Sequence, residues 1–447
     1  MIKMPMLSLW WCSRQALSFG RATFETLDAT LNPNGRVGAS IMNDLEVHTR
    51  ADDTTSGRVE GDREGANGRL VSVDLLRGTV MILMVLDHVR DYLMDARVDP
   101  TNLGVASPAL FFTRWITHFC APTFIFLAGA SAFLAGTRGK TQGQLSLFLV
   151  KRGLWLILLE QTWVSVSLTF TLPKVILALI LWAIGWSMIA LAGLICLPRV
   201  AVGAIGIGLI AFHNLFDGVQ VESSGVGSLL WRLLHQPGFV PLTGGLGILE
   251  GYPLIPWIGV MAVGYAFGPV LLVPPDRRRT ILVALGIGLT LGFVGLRALN
   301  VYGDPRPWTV QATPLLTVAS FLNCLKYPPS LLYLLMTLGP ALFALAWLDR
   351  LPSFLAGPLA TFGRVPLFFF LLQMPLAHGL GVAVAALRGQ PVAWLFETAP
   401  FQSPEGYNNS LATVYLCWVV AIAILYLPCR WFADVKRRRR DPWLSYF

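Results

Sequence analysis

From Arg69 to Trp431 the sequence passes through ten apolar stretches, each close to the ~20 helical residues needed to cross roughly 30 Å of hydrocarbon. They fall at 71–93, 109–135, 148–170, 173–197, 199–216, 252–273, 279–300, 329–349, 364–387 and 411–431, the fifth being short and tightly joined through Leu197-Pro198-Arg199. Such a chain has too little polar surface for a water-facing globule: 55% of its residues are hydrophobic and only 13% are charged. Soluble domains carry about twice that charge. The expected fold is therefore all-α, a polytopic integral membrane helix bundle of about ten transmembrane helices.

The flanks differ from this body. Residues 1–68 are expected to be a disordered or misassigned N-terminal extension, since Asn32 to Asn67 is polar and Gly-rich with no apolar period; a downstream start such as Met42 reads equally well. Residues 69–435 form the membrane domain and 436–447 a basic tail. Within a longer loop, 225–240 has the pattern of an interfacial amphipathic helix around Trp231-Arg232-Leu233-Leu234.

The net charge of +9 suggests nucleic acid until the basic residues are located. Arg138, Lys140, Lys151 and Arg152 lie between spans two and three, Arg277-Arg278-Arg279 between six and seven, Arg350 and Arg364 between eight and nine, and Lys436 to Arg440 after span ten. These are alternate joints, so the positive-inside rule places both termini in the cytoplasm and the loops 217–251, 301–328 and 388–410 outside. Six cysteines (12, 120, 196, 324, 417 and 429) show neither C-x-x-C nor Cys/His spacing, and no disulfide framework or metal site is expected.

Ionisable residues inside spans are costly and mark function by default. Span one carries Asp74, Arg77, Asp87, His88, Arg90 and Asp91. On a helical projection Asp74, Arg77, His88 and Asp91 share one arc about 100° wide, which should face into the bundle. End-capping and snorkelling account for Asp74 and Arg77 taken alone, but the Asp87-to-Asp91 cluster exceeds what a helix end needs. Span two adds Arg114 and His118, four apart on one face. Glu160 lies deep in span three and requires a partner that the sequence does not name. Lys326 reads either as an interfacial anchor or as a cation for an anionic substrate, and His378 lies near the outside after Pro375. Three histidines from three spans thus reach similar depth among acids and cations. A histidine paired with a carboxylate is typical of a general base, so His88, with Asp87 or Asp91 orienting it, is the first candidate and His118 the second. Arg90, Arg114, Lys326 and His378 are candidates for substrate binding.

Several segments resemble a known family. Arg69-Leu70-Val71-Ser72-Val73-Asp74-Leu75-Leu76-Arg77-Gly78, then Leu83-Met84-Val85, resembles the opening of the heparan-alpha-glucosaminide N-acetyltransferase catalytic domain family, and Ala121-Pro122-Thr123-Phe124-Ile125-Phe126-Leu127-Ala128-Gly129 its second span. Tyr252 to Met261, Lys326-Tyr327-Pro328-Pro329-Ser330 and Phe362 to Leu367 look like the bacterial branch, giving a resemblance over about 69–435. It implies a membrane acyltransferase that takes acetyl from cytosolic acetyl-CoA and delivers it to an extracytoplasmic amine or hydroxyl, such as one on a sugar. A histidine acts as base or acyl carrier, and Asp74 and Arg77 stand at the cytoplasmic mouth for CoA. One departure matters: the family's histidine in the loop after the first span has no counterpart, because 94–117 contains none. The choice of His88 therefore rests on its own placement.

The expected partners are an acyl-CoA donor, a small-molecule or glycan acceptor and the lipid bilayer of a bacterial inner or plasma membrane, with room for a homodimer and no role for nucleic acid. The rival reading is a proton-coupled membrane transporter with an Asp/His/Glu relay through Asp87, His88, His118 and Glu160. Against it, the two halves show no internal repeat.

Overall fold

The computed structural model describes residues 70–444 apart from 96, 173–174, 222–224, 243–246, 398–402, 440 and 442. The expected N-terminal extension lies outside the described residues. The elements in chain order are α1 (Val71–Leu93), α2 (Pro108–Thr117), α3 (Cys120–Gly136), α4 (Gln142–Leu159), a π turn (Glu160–Val164), α5 (Ser165–Thr169), β1 (Ile176–Ala178), α6 (Ile180–Leu194), α7 (Arg199–Phe212), α8 (Val226–Leu234), β2 (Gly238–Pro241), β3 (Gly247–Glu250), α9 (Leu254–Phe267), α10 (Pro275–Leu299), α11 (Pro314–Leu322), α12 (Leu331–Trp347), α13 (Ser353–Arg364), α14 (Pro366–Leu387), α15 (Trp394–Glu397) and α16 (Leu411–Arg438).

Among the described residues, seven helical stretches are long and apolar enough to cross a membrane: Pro108–Gly136, Arg199–Phe216, Leu254–Leu272, Pro275–Leu299, Leu331–Arg350, Pro366–Leu387 and Leu411–Arg438. The other three expected spans differ for visible reasons. α1 carries charge, α4 holds Lys151 and Arg152, and α6 has only 15 residues. The stretch expected as a span at 173–197 begins instead with β1, which pairs in parallel with β3 at Ile176↔Ile248, while β2 pairs antiparallel with β3 at Gly238↔Glu250. The helix expected within 225–240 appears as α8, although the strand β2 takes the end of the segment. The basic tail is not separate at its start, since α16 continues through Lys436, Arg437 and Arg438. The chain is an all-α polytopic membrane protein, with this small sheet formed from the segments between α5 and α9.

α1 is the central helix and packs against α2, α3, α12, α13, α14 and α16. Without a hydrophobic drive between helices in lipid, close backbone approach supplies much of the association, and small residues allow it. A Cβ at Gly78 would lie 1.9 Å from the Leu359 carbonyl oxygen, and one at Gly363 would lie 1.8 Å from that of Asp74. The lower half of α1 is thereby locked to α13.

Two prolines shape what surrounds the upper half. Pro122 has no N–H to give the carbonyl four residues back, so the His118 carbonyl is released and instead accepts from Tyr333 Oη at 2.7 Å. The expected span 109–135 accordingly divides into α2 and α3 around His118 and Phe119. Pro375 likewise releases the Leu371 carbonyl, which accepts from Trp163 Nε1 at 2.8 Å.

Candidate active site

The last carbonyls of a helix lack internal donors. At the end of α1 they are taken from outside: Tyr407 Oη donates to the Tyr92 carbonyl at 2.8 Å, and Asn409 Nδ2 to that of Leu93 at 2.6 Å. This fixes the terminal turns of α1, which form one wall of a cavity of about 690 Å³. Its remaining walls come from the 94–107 loop, α2, Glu160 on the π turn, the 324–327 stretch and α14.

The charges on α1 are bound into a chain. Asp87 is held by Arg114 of α2 on one side and by Arg90 on the other, where Arg90 Nη1 lies 2.9 Å from Oδ1, and Arg90 in turn holds Asp91. Arg90 and Asp87 are almost fully buried, so each would be costly without its partner. Below them in sequence, Asp95 accepts from the Arg97 amide and guanidinium at 2.9–3.0 Å. Those hydrogen bonds pull its carboxyl down to about 2, keeping it anionic at the loop edge of the cavity.

His88 has a different partner. Its Nδ1 lies 2.8 Å from Gln373 Oε1 on α14. An amide oxygen only accepts, so in the neutral ring this contact puts the proton on Nδ1 and leaves Nε2 as the acceptor. Nε2 has no hydrogen-bond partner among the described residues. The Phe370 ring meets the imidazole edge-on at 6.5 Å.

Lys326 and Tyr327 reach the cavity on the stretch before α12, a segment fixed from beneath. Buried Arg297 donates to the carbonyls of Phe321, Arg306, Ser320 and Asn323 at 2.7–3.1 Å and lies 3.8 Å from Asp304. Asp304 Oδ2 accepts from the Leu325 amide at 2.8 Å and the Ser330 hydroxyl at 2.6 Å. Lys326 Nζ lies over the Tyr327 ring at 5.2 Å, with no carboxylate at ion-pair distance among the described residues.

The structure thus brings His88, His118, Asp87, Asp91, Arg90, Arg114 and Lys326 to one cavity. It does not bring three others. His378 is stacked between Tyr92, at 5.0 Å, and Phe170, at 4.0 Å, with Nδ1 donating to the Ser167 carbonyl at 3.2 Å; it lies behind Tyr92 rather than on the cavity wall. Asp74 and Arg77 sit at the other end of α1, 3.7 Å apart, where Arg77 also meets the Ser131 hydroxyl and the Leu127 carbonyl. The carboxylate expected to orient His88 is also corrected. Asp87 and Asp91 are both engaged by arginine, and adjacent helical residues such as Asp87 and His88 do not face one another.

Three lining or supporting groups are absent from the sequence candidates, Gln373, Tyr252 and Tyr327, while Glu160, which the transporter reading enlists, also lines the cavity. Gln373 was visible as a lone amide in the apolar run of α14, a placement that itself asks for a partner. The partner that Glu160 requires proves to be backbone, since Oε2 accepts from the Leu181 and Trp182 amides at 2.6 and 3.0 Å.

Compared with known proteins, the sequence matches the family model described as heparan-alpha-glucosaminide N-acetyltransferase, catalytic, over residues 69–303, just over half of the chain. That stretch includes α1, α2 and Glu160. It stops short of 435, so the 326–330 and 362–367 segments lie beyond it. No curated protein matches the sequence.

Proposed function

The chain belongs to the heparan-alpha-glucosaminide N-acetyltransferase catalytic family, and from that premise we propose that it transfers an acetyl or similar acyl group from cytosolic acyl-CoA to an extracytoplasmic amine or hydroxyl, on a sugar or a similar small acceptor. The observation that carries the reading is His88: its Nδ1 meets Gln373, and the residue lines a cavity of about 690 Å³ that is also lined by cations. Pockets of this size suit a small ligand or one part of a larger one.

Acyl-CoA supplies an activated thioester carbonyl. The chain's part is to hold the acceptor and move its proton. His88 Nε2 takes the proton from the acceptor nitrogen or oxygen as that atom attacks, and the imidazolium returns it to the departing sulfur. Gln373 is neutral, so it orients the ring without adding a charge to stabilise the imidazolium. Lys326, with no carboxylate at ion-pair distance among the described residues, offers a cation to an anionic group on the acceptor, and Arg306 lines the same cavity. Arg77 and Asp74 are proposed to meet the donor at the opposite membrane face, about 17–21 Å below His88 along α1. Asp87 and Arg114 hold α2 against α1.

The test is CoA release from acyl-CoA in proteoliposomes. Positioned proton transfer contributes about 10²–10⁴-fold, so His88→Ala is expected to lose at least ~100-fold. Unchanged turnover would remove His88 from the reaction.

A further inference from the structure

Glu160 plays no part in the proton path just described, yet it stands on the wall of the same cavity. It opens the π turn between α4 and α5 and is fully buried. π turns inside α-helices recur at functional sites because they redirect one side chain. The two carboxyl oxygens have unequal surroundings. Oε2 is held by the first amides of α6, at Leu181 and Trp182, an arrangement in which amide donors and helix dipole together favour an anion. Oε1 has no hydrogen-bond partner among the described residues, and no cation there lies within ion-pair distance of the carboxylate. A carboxylate used solely as a helix cap would waste this second oxygen. Here it is rigid, buried and unpartnered beside the site.

We propose that Glu160 is a second catalytic base, whose Oε1 binds the ammonium group of a cationic acceptor and takes its first proton. The inference rests on the acyl-transfer reading. An aliphatic amine arrives from neutral water mostly as ammonium, and that nitrogen must lose two protons to become an amide. Glu160 Oε1 takes the first, leaving a free amine with its lone pair. The lone pair forms the N–C bond to the thioester carbonyl while the C–S bond breaks. His88 Nε2 takes the second proton and passes it to the sulfur, giving the thiol. The proton on Glu160 leaves to water before the next cycle. An acceptor that enters neutral needs His88 alone.

Two sugar-based acceptor probes separate these cases: glucosamine, with a protonated aliphatic amine, and 4-aminophenyl glucoside, whose arylamine is neutral at pH 7. Glu160→Gln keeps an oxygen for the Leu181 and Trp182 amides, so the cap is retained while the base is lost. The expected result in proteoliposomes is a loss of about 100-fold in kcat/KM for glucosamine and a change within about threefold for the arylamine. Glu160→Asp, which keeps a carboxylate, should recover part of the glucosamine rate. Equal losses for both probes would make Glu160 purely structural and overturn the proposal, as would no loss for either. If wild type released CoA with neither probe, the acyl-transfer reading itself would fall.

Discussion

Gln373 Oε1 lies 2.8 Å from His88 Nδ1, joining the middle of α14 to the upper turn of α1 across 285 residues of sequence. In the neutral ring this contact selects the tautomer in which Nε2 is the acceptor, on a residue that lines the cavity. Gln373→Leu preserves shape but removes the acceptor, so both tautomers become available and the ring is free to turn. A histidine that loses the group orienting its second nitrogen commonly forfeits about 10–100-fold in function. The expected outcome is a kcat loss of that order with KM for acyl-CoA little changed, measured by CoA release. An unaltered kcat would show that the orientation of His88 is set elsewhere.

The Asp87 ion pairs make a separate prediction, for stability rather than rate. Asp87→Ala leaves Arg114 buried without its carboxylate and Arg90 with Asp91 alone. Breaking one side of a buried ion pair costs about 3–5 kcal/mol. Losing the His88–Gln373 hydrogen bond costs about 0.5–1.5 kcal/mol. Thermal unfolding in detergent should therefore show a much lower midpoint for Asp87→Ala than for His88→Ala, and similar midpoints would contradict the assignment of Asp87 as the joint between α1 and α2.

Glu250 supplies a pH dependence outside the membrane spans. It lies buried in β3, where Oε1 accepts from the Tyr252 amide at 2.9 Å and Oε2 has no partner among the described residues. Burial raises its carboxyl from 4.5 to about 8. The folded chain therefore keeps a proton that the unfolded chain has already released above 4.5. Stability contributed by this group falls as pH rises from about 4.5 to about 8, and levels off beyond. The unfolding midpoint should decline across that window in wild type, and Glu250→Gln should flatten the decline. Parallel curves for the two proteins would contradict this.

Much of the bundle was legible because apolar length and the basic joints are strong signals: α1 begins and ends where its apolar run does, at 71 and 93. Depth along a helix was legible too, which is why seven candidates meet at one cavity. What fills the space between helices was not. His378 follows Met374 by one turn on the same stripe, and Met374 does line the cavity, but the rings of Tyr92 and Phe170 occupy the space in front of His378. The division at His118 was hidden because a proline frees a carbonyl four residues upstream of itself. The partner of Glu160 was hidden because it is backbone, at the start of a helix about twenty residues away. Gln373 is a different case: the amide was in plain view, and its role was fixed only when α14 was seen to pack on α1.

The most direct measurement is to map where a photoactivatable acyl group carried on CoA labels the protein. Delivery of the acyl group to the cavity at the upper end of α1 is expected to place the label on His88, Phe370 or Met374, and Gln373→Leu should leave the labelled peptides unchanged. Label confined to the opposite end of α1, around Asp74 and Arg77, with none in the cavity, would contradict acyl transfer at His88.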